Sequence, residues 1–515
     1  MQLKKLYRLH RCLSIFIGIP MLLWAVSGLM HPLMTSVRPH IATQASPSTP
    51  IPVSLIQKAI PVKQLLLKAE INKTTGIRII QLDSNWYYQV LQTVNGQNNK
   101  QTDVRYFNLQ TGVELKNGEQ DYAVFLARHF LSAQPANHSP AVLSVSEIKN
   151  FTDEYGYVNR LLPVWQVQFA REDQIGIYVD TRSGSFAFAI DNNRRNFNRF
   201  FGWFHTWSWM DGMAVLKAVI IGLILLLALT TAGLGIYLSF KTKAAKATKN
   251  KLVRVRKLHR VTAIFGAVFF LSWAFSGLVH AVQNARTPFY IQAIGDPVMK
   301  TAALPDNLND LINQQFLSGP LTSLRLFSIN GQFLIKTNRT QPGSAAKDLM
   351  VARSVSPGAN QFFRIYCSKN ALHTGILEAV PEKQIASDLA GMIFWQNKES
   401  AISPDTSTFN LDYLTHFTEQ YNFSDKILPV WQISKKSAGS NPVFIDVNTC
   451  SLVKKADHFK QADALIFAFF HKHEFMSWAG KSAKDASTII GVLMLISVIV
   501  IGYRLFFIRQ KRSKN

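Results

Sequence analysis

The chain has 515 residues, 56 Lys and Arg against 31 Asp and Glu, and a mean hydropathy of +0.06. That length excludes one ordinary domain, and the near-zero mean hides long apolar runs set between polar segments, which excludes a simple soluble globule. The net charge of +25 raises nucleic acid as a partner, but its placement excludes that reading, because the basic residues flank the apolar runs.

Residues 1–31 open with Lys4, Lys5, Arg8 and Arg11 and continue as an apolar run near 12–30, predicting a first membrane-spanning helix. The run is long for a signal peptide and lacks a small-x-small site close behind it, so it reads as a retained anchor. Residues 32–203 read as an α+β module. The helical patch 120–131 precedes LPVWQ at 162–166, and a strand-like run closes at Asp180 before a turn and a further strand. The chain re-enters the membrane through an aromatic collar, FNRFFGWFHTWSWMDG at 197–212, where Trp203, Trp207 and Trp209 suit a lipid interface. A second span fills 204–240.

The loop 241–257 continues into LHR, and 241–260 holds nine basic residues and no acidic one, so it reads as an inside loop. Residues 258–280 form the third span. Residues 281–470 repeat the outer module, with LPVWQ at 428–432 and a strand closed by Asp446. Residues 471–508 hold a second collar, which begins at 465 (LIFAFFHKHEFMSWAG, to 480), and the fourth span; a basic tail, 509–515, follows. Both termini and the central loop are thereby expected inside, and the two long modules outside. Cys367 and Cys450 share the second module and could pair in an oxidising compartment.

The strongest signal is a repeat. LHRCLSIFIGIPMLLWAVSGLMH at 9–31 aligns without a gap to LHRVTAIFGAVFFLSWAFSGLVH at 258–280, with 12 of 23 positions identical. Each copy carries a histidine at both ends, His10 and His31, then His259 and His280. Ionisable residues in spans mark function more often than packing, and a duplicated spanning unit suggests a cofactor between two parallel halves. Twenty-one residues separate the two histidines of a copy, about 31 Å along a helix and within roughly 60° of one face. Two pairings stay open. In the layered one His10 meets His259 inside and His31 meets His280 outside. In the other, His31 pairs with His205 of the first collar, and His280 with His471 or His473 of the second. Either supplies the two axial imidazoles of a b-type haem. No CxxCH, no iron–sulfur cysteine spacing, no HExxH and no GxGxxG is present, so neither covalent haem nor a bound flavin or nucleotide is expected.

The LHR…WAxSGLxH repeat, the FH of the first collar and the LPVW…VD modules together resemble the PepSY-associated transmembrane proteins, also called the PiuB-like iron-uptake family. The resemblance implies an integral membrane protein: a four-helix bundle from two tandem halves, each with a PepSY-like periplasmic α+β module. It implies residence in a bacterial inner membrane and two haem b groups, ligated by His10, His31, His259 and His280. His205 and His471 carry over as the third histidine of each half, on the substrate side or as ligands. Arg11 and Arg260 would meet a haem propionate or anchor their helices. The implied activity is reduction of a ferric siderophore or other ferric chelate outside, with electrons from a quinol or a flavin-linked donor inside. A transporter of a chelate, peptide or metal and a membrane-anchored regulator are the rival classes.

Overall fold

A computed structural model of the chain describes residues 2–34, 36–95, 100–131, 140–156, 159–242, 250–284, 291–317, 319–339, 360–367, 374–395, 406–418, 420–421, 427–437 and 440–514. It divides into two units, residues 1–38 with 192–288 and 457–515, and residues 39–191 with 289–456.

The first unit contains the four apolar runs. All four are helices long and apolar enough to cross a membrane: Leu3–Leu33, Ser208–Lys241, Lys251–Gln283 and Glu474–Ile508. We call them spans 1 to 4. Span 1 packs on spans 2 and 4, span 2 on span 3, and span 3 on span 4, so the bundle closes in a ring. Small residues let the backbones approach. A Cβ on Gly18 would collide with the Tyr503 phenol, whose hydroxyl donates to the Ile15 carbonyl at 2.9 Å. A Cβ on Gly491 would fall 2.5 Å from the Phe269 ring and 2.7 Å from Trp273. The interior of the bundle holds Ile17, Met21, Leu225, Ala228 and Ala274, and beside them Ala25, Val492 and Leu495.

The second unit holds the two α+β modules. The first contributes β1 Lys73–Leu82, β2 Asn85–Asn95, β3 Lys100–Asn108, β4 Val142–Ile148, β5 Val164–Phe169, β6 Gly176–Asp180 and β7 Ser185–Ile190. The second contributes β8 Gln292–Ala293, β9 Met299–Lys300, β10 Ser323–Ile329, β11 Gln332–Asn338, β12 Asn360–Cys367, β13 Gly375–Val380, β14 Phe409–Leu414, β15 Val430–Lys435, β16 Val443–Asp446 and β17 Ser451–Lys455. The strands form three sheets: β13-β12-β11-β10-β1-β2-β3, with β9 also on β1; β4-β5-β6-β7; and β14-β15-β16-β17-β8.

The tandem modules therefore share one sheet. β1 pairs antiparallel with β10, with Ile77 opposite Leu326 and Arg78 opposite Arg325. Side chains alternate across this sheet. Ile77 and Ile79 enter a core completed by the short helices Val53–Gln57, Val62–Lys68 and Leu308–Leu317. Ile80 and Leu82 enter the opposite core, under the helix Gly118–Leu131 and the β4–β7 sheet. The helix Glu382–Phe394 and the β14–β17 sheet repeat that layer in the second module. The expected disulfide is not formed at Cys450, which is a buried free thiol pushed up to about 12 by that burial; the Cys367 side chain lies outside the described residues.

Candidate metal centre

Each collar folds locally in the same way. The helix Asn192–Phe201 loosens into a π-turn, Gly202–Thr206, and the chain then reverses at Trp207 with φ of 54°. The helix His458–Ile466 loosens into the π-turn Phe467–His471, and the chain reverses at His473 with φ of 55°. π-turns of this kind concentrate at functional positions. Here each puts a phenylalanine four residues before the histidine onto its ring. Phe201 stacks on His205 at 4.6 Å and 19°, and Phe467 stacks on His471 at 4.4 Å and 12°.

The spans fix the other side of both imidazoles. Ser27 Oγ lies 3.1 Å from His205 Nδ1, and Ser276 Oγ lies 3.1 Å from His471 Nδ1. The Trp24 and Trp273 indoles donate to the His205 and His471 carbonyls at 3.0 and 3.3 Å. The tautomer is coupled to the serine hydroxyls. Ser27 Oγ donates to the Leu23 carbonyl at 2.7 Å, and Ser276 Oγ to the Trp273 carbonyl at 3.1 Å. With the hydroxyl hydrogen on the carbonyl, the ring proton sits on Nδ1 and Nε2 carries the lone pair, the arrangement in which an outer contact orients a metal ligand; with the hydroxyl turned to Nδ1, the two ring nitrogens exchange roles.

His31 completes the group. It lies in the short turn Met30–Leu33 at the end of span 1, and its ring stands 5.4 Å from His205 and 6.1 Å from His471, edge-on to both. One nitrogen from each of His31, His205 and His471 falls within 4.8 Å of the other two. Three neutral imidazoles without a thiolate suit iron, copper or zinc.

His280 does not join them. Its Nδ1 faces the Asp463 carboxylate at 3.1 and 3.3 Å, and its ring lies on Phe467. The outer layer thus brings His31 to His205 and His471, rather than to His280. Matching His205 with His471 puts Asp463 where the first half has Phe197, and this exchange draws His280 aside. His473, the alternative match, corresponds to Trp207. It is 2 % exposed, stacks on Trp273 at 5.6 Å and has Ser487 Oγ at 3.0 Å from Nδ1.

The inner histidines are seated as a pair of like sites. His10 Nδ1 lies 3.0 Å from the Thr231 carbonyl, and its ring fills the space over Gly235, where a Cβ would come to 3.0 Å. His259 lies over Gly502 on span 4 and approaches the Val498 carbonyl without closing a well-formed hydrogen bond. Both carbonyls come four residues before the glycine. Arg260 donates to the Thr242 carbonyl at 2.8 Å and to the Ser239 carbonyl, so it caps span 2. Arg11 is half-buried beside His10.

The resemblance implies haem, and the donor set allows a test of it. Two axial imidazoles on one iron stand about 4 Å apart, at roughly 2 Å per bond. The 4.8 Å limit on the cluster matches that scale for any two of the three. The third nitrogen lies equally near the other two, so as the side chains stand the cluster suits a single metal ion, and haem on two of these histidines would require the third to move away. Ser27 and Ser276 already anchor two of them through Nδ1, and His31 is the one without such an anchor among the contacts described above.

Compared with known proteins, residues 7–509 match the family described as the PepSY-associated TM region. No curated protein matches the chain.

Proposed function

This chain belongs to the PepSY-associated transmembrane family, and from that premise and the three-imidazole cluster we propose that it is an inner-membrane electron-transfer protein. It reduces a ferric siderophore or another ferric chelate on the periplasmic side, using electrons from a quinol or a flavin-linked donor on the cytoplasmic side. Both termini and the basic loop lie in the cytoplasm and both modules in the periplasm, as the basic flanks require.

The observation that carries the reading is the pair of anchored imidazoles, His205 and His471, each with Nδ1 on a buried serine and a ring nitrogen within 4.8 Å of one on His31. Two of these three would hold an outer haem b; His10 and His259 would hold an inner one. Bound haem would supply a one-electron iron couple at each layer. The protein's own part is positional. Phe201 and Phe467 hold the ligand rings, the serines hold their Nδ1 atoms, and the glycines of spans 2 and 4 admit the inner imidazoles. Bis-histidine ligation leaves no open coordination position, so the substrate is reduced by outer-sphere transfer. Iron(II) binds hard oxygen donors more weakly than iron(III), and the chelate then releases its metal.

The test is the absorption spectrum of the purified protein, oxidised and dithionite-reduced, with haem per chain from a pyridine haemochrome assay. We expect about two haem b per chain, sharp α and β bands on reduction, and reoxidation by ferric chelates. His471→Ala should lose the outer group and His259→Ala the inner one. Protein that stays colourless after expression with ample haem refutes the reading. The closeness of all three nitrogens favours one second reading, a bare divalent transition ion at the same cluster; about one zinc, copper or iron per chain without haem would select it.

A further inference from the structure

The internal repeat offers a control for a cavity in the second module. The cavity has a volume of about 600 Å³ and is walled by Phe362, Phe363, Val380, Tyr413 and Trp431, with Glu382 as its acidic group. The equivalent carboxylate of the first module is Glu119, for both bond the tryptophan of their LPVWQ segment: Glu119 with Trp165, and Glu382 Oε1 with Trp431 Nε1 at 3.1 Å. Glu119 takes a second bond, from Thr181 Oγ1 at 3.0 Å.

The residue that would give Glu382 that bond is changed. The turns after β6 and β16 superpose bond for bond: Asp180 accepts from the Arg182 amide and the Ser183 hydroxyl, and Asp446 from the Asn448 amide and the Thr449 hydroxyl. Thr181 therefore corresponds to Val447, which brings no hydroxyl. By strand register, Glu147 stands opposite Trp165, whereas Tyr413 stands opposite Trp431, 5.1 Å from its ring. The second module has thus exchanged a carboxylate and a hydroxyl for an aromatic wall and a methyl, and kept the glutamate. Nearby, Lys336 is half-buried and gives its ammonium to Asn448 Oδ1. Burial is the main influence on Glu382 and raises its pKa, with the Trp431 hydrogen bond and then Lys336 opposing this and Asp446 adding to it.

We propose that this cavity binds an organic ammonium group, with Glu382 as counter-ion and Tyr413 and Trp431 as its cation–π walls. A half-buried carboxylate that has lost a hydrogen-bond donor is stabilised by a cation that brings N–H groups. Aromatic faces beside it favour a cation over a neutral isostere of equal size. The site is independent of the histidine cluster and does not rest on the electron-transfer reading.

The test is calorimetric titration of the full-length protein in detergent with 1,5-diaminopentane, and with 1,5-pentanediol as the neutral match. We expect saturable binding of one diamine per chain and no saturable heat from the diol. Glu382→Gln should weaken the diamine at least tenfold, and Tyr413→Leu several-fold. Val447→Thr restores the hydroxyl of the first module without altering charge and should also weaken it, whereas Glu119→Gln should leave it unchanged. A diol that binds as the diamine does, wild-type affinity in Glu382→Gln, or no saturable diamine binding at millimolar concentration would overturn the proposal. Thermal midpoints of the variants within the spread of the wild type establish that each is folded, and Val447→Thr decides the matter if Glu382→Gln is not.

Discussion

At the residue scale, two serines set the chemistry of the cluster. Ser27 and Ser276 are fully buried, and each hydroxyl lies between a backbone carbonyl of its own helix and Nδ1 of the histidine it faces. Replacing either with alanine removes the partner of Nδ1 and lets the ring turn or change tautomer. Loss of such an outer contact costs about 10–100-fold in metal affinity. Ser27→Ala and Ser276→Ala should each lower occupancy of the outer centre, read as bound metal or haem per chain, and leave the inner one at its wild-type level. Ser272→Ala, on an exposed hydroxyl of span 3, should change neither. The histidines themselves were legible, because they stand at matched ends of an aligned repeat. The pairing of His31 with His205 was one of the two left open, but the addition of His471 in place of His280 was not legible. A repeat implies symmetric pairing, and the residue that breaks the symmetry is Asp463 in place of Phe197. That exchange is visible in the sequence only once the two collars are aligned through His205 and His471. The serines were legible as small residues of the repeat, but their hydrogen bonds depend on the π-turns, which no sequence pattern announces.

At the element scale, glycines decide how closely the spans meet. Gly491 admits the Phe269 and Trp273 rings from span 3, and Trp273 in turn bonds the His471 carbonyl. Gly233, on span 2, has open space where its Cβ would be. Gly491→Ala therefore overpacks a helix contact and should destabilise the bundle by about 1–3 kcal/mol. Gly233→Ala adds helix propensity without a collision and should be neutral or stabilising by up to about 1 kcal/mol. Thermal unfolding in detergent, with the two variants side by side, separates packing from propensity. Equal midpoints would show that span 4 is not held against span 3 at this glycine. The four spans themselves follow from length and apolarity, which is why each was readable. Their ring order was not, since any of several packings would bury the same small residues.

At the scale of the whole molecule, the duplication continues outside the spans as one sheet. The two modules were legible as α+β units from LPVWQ, the aspartate-closed strands and the amphipathic helices. Their fusion was not, because a strand edge that seeks a partner carries the same alternation whether that partner lies in its own module or in the next. The β1–β10 pairing gives both modules a common core: Ile77 and Ile79 from the first lie with Leu324, Leu326 and Ile335 from the second. The layer under Gly118–Leu131 belongs instead to the first module alone, and Val167 is buried there. A cavity made at each place should be felt differently. Leu326→Ala should cost about 2–5 kcal/mol and should speed amide exchange in β2 as well as in β11, although β2 carries no substitution. Val167→Ala should speed exchange in β5 and β6 and leave β11 protected. If Leu326→Ala loosened β11 while β2 kept its protection, the shared sheet would be a contact between two independent folds; loss of protection on both sides of the junction would make the modules one cooperative body.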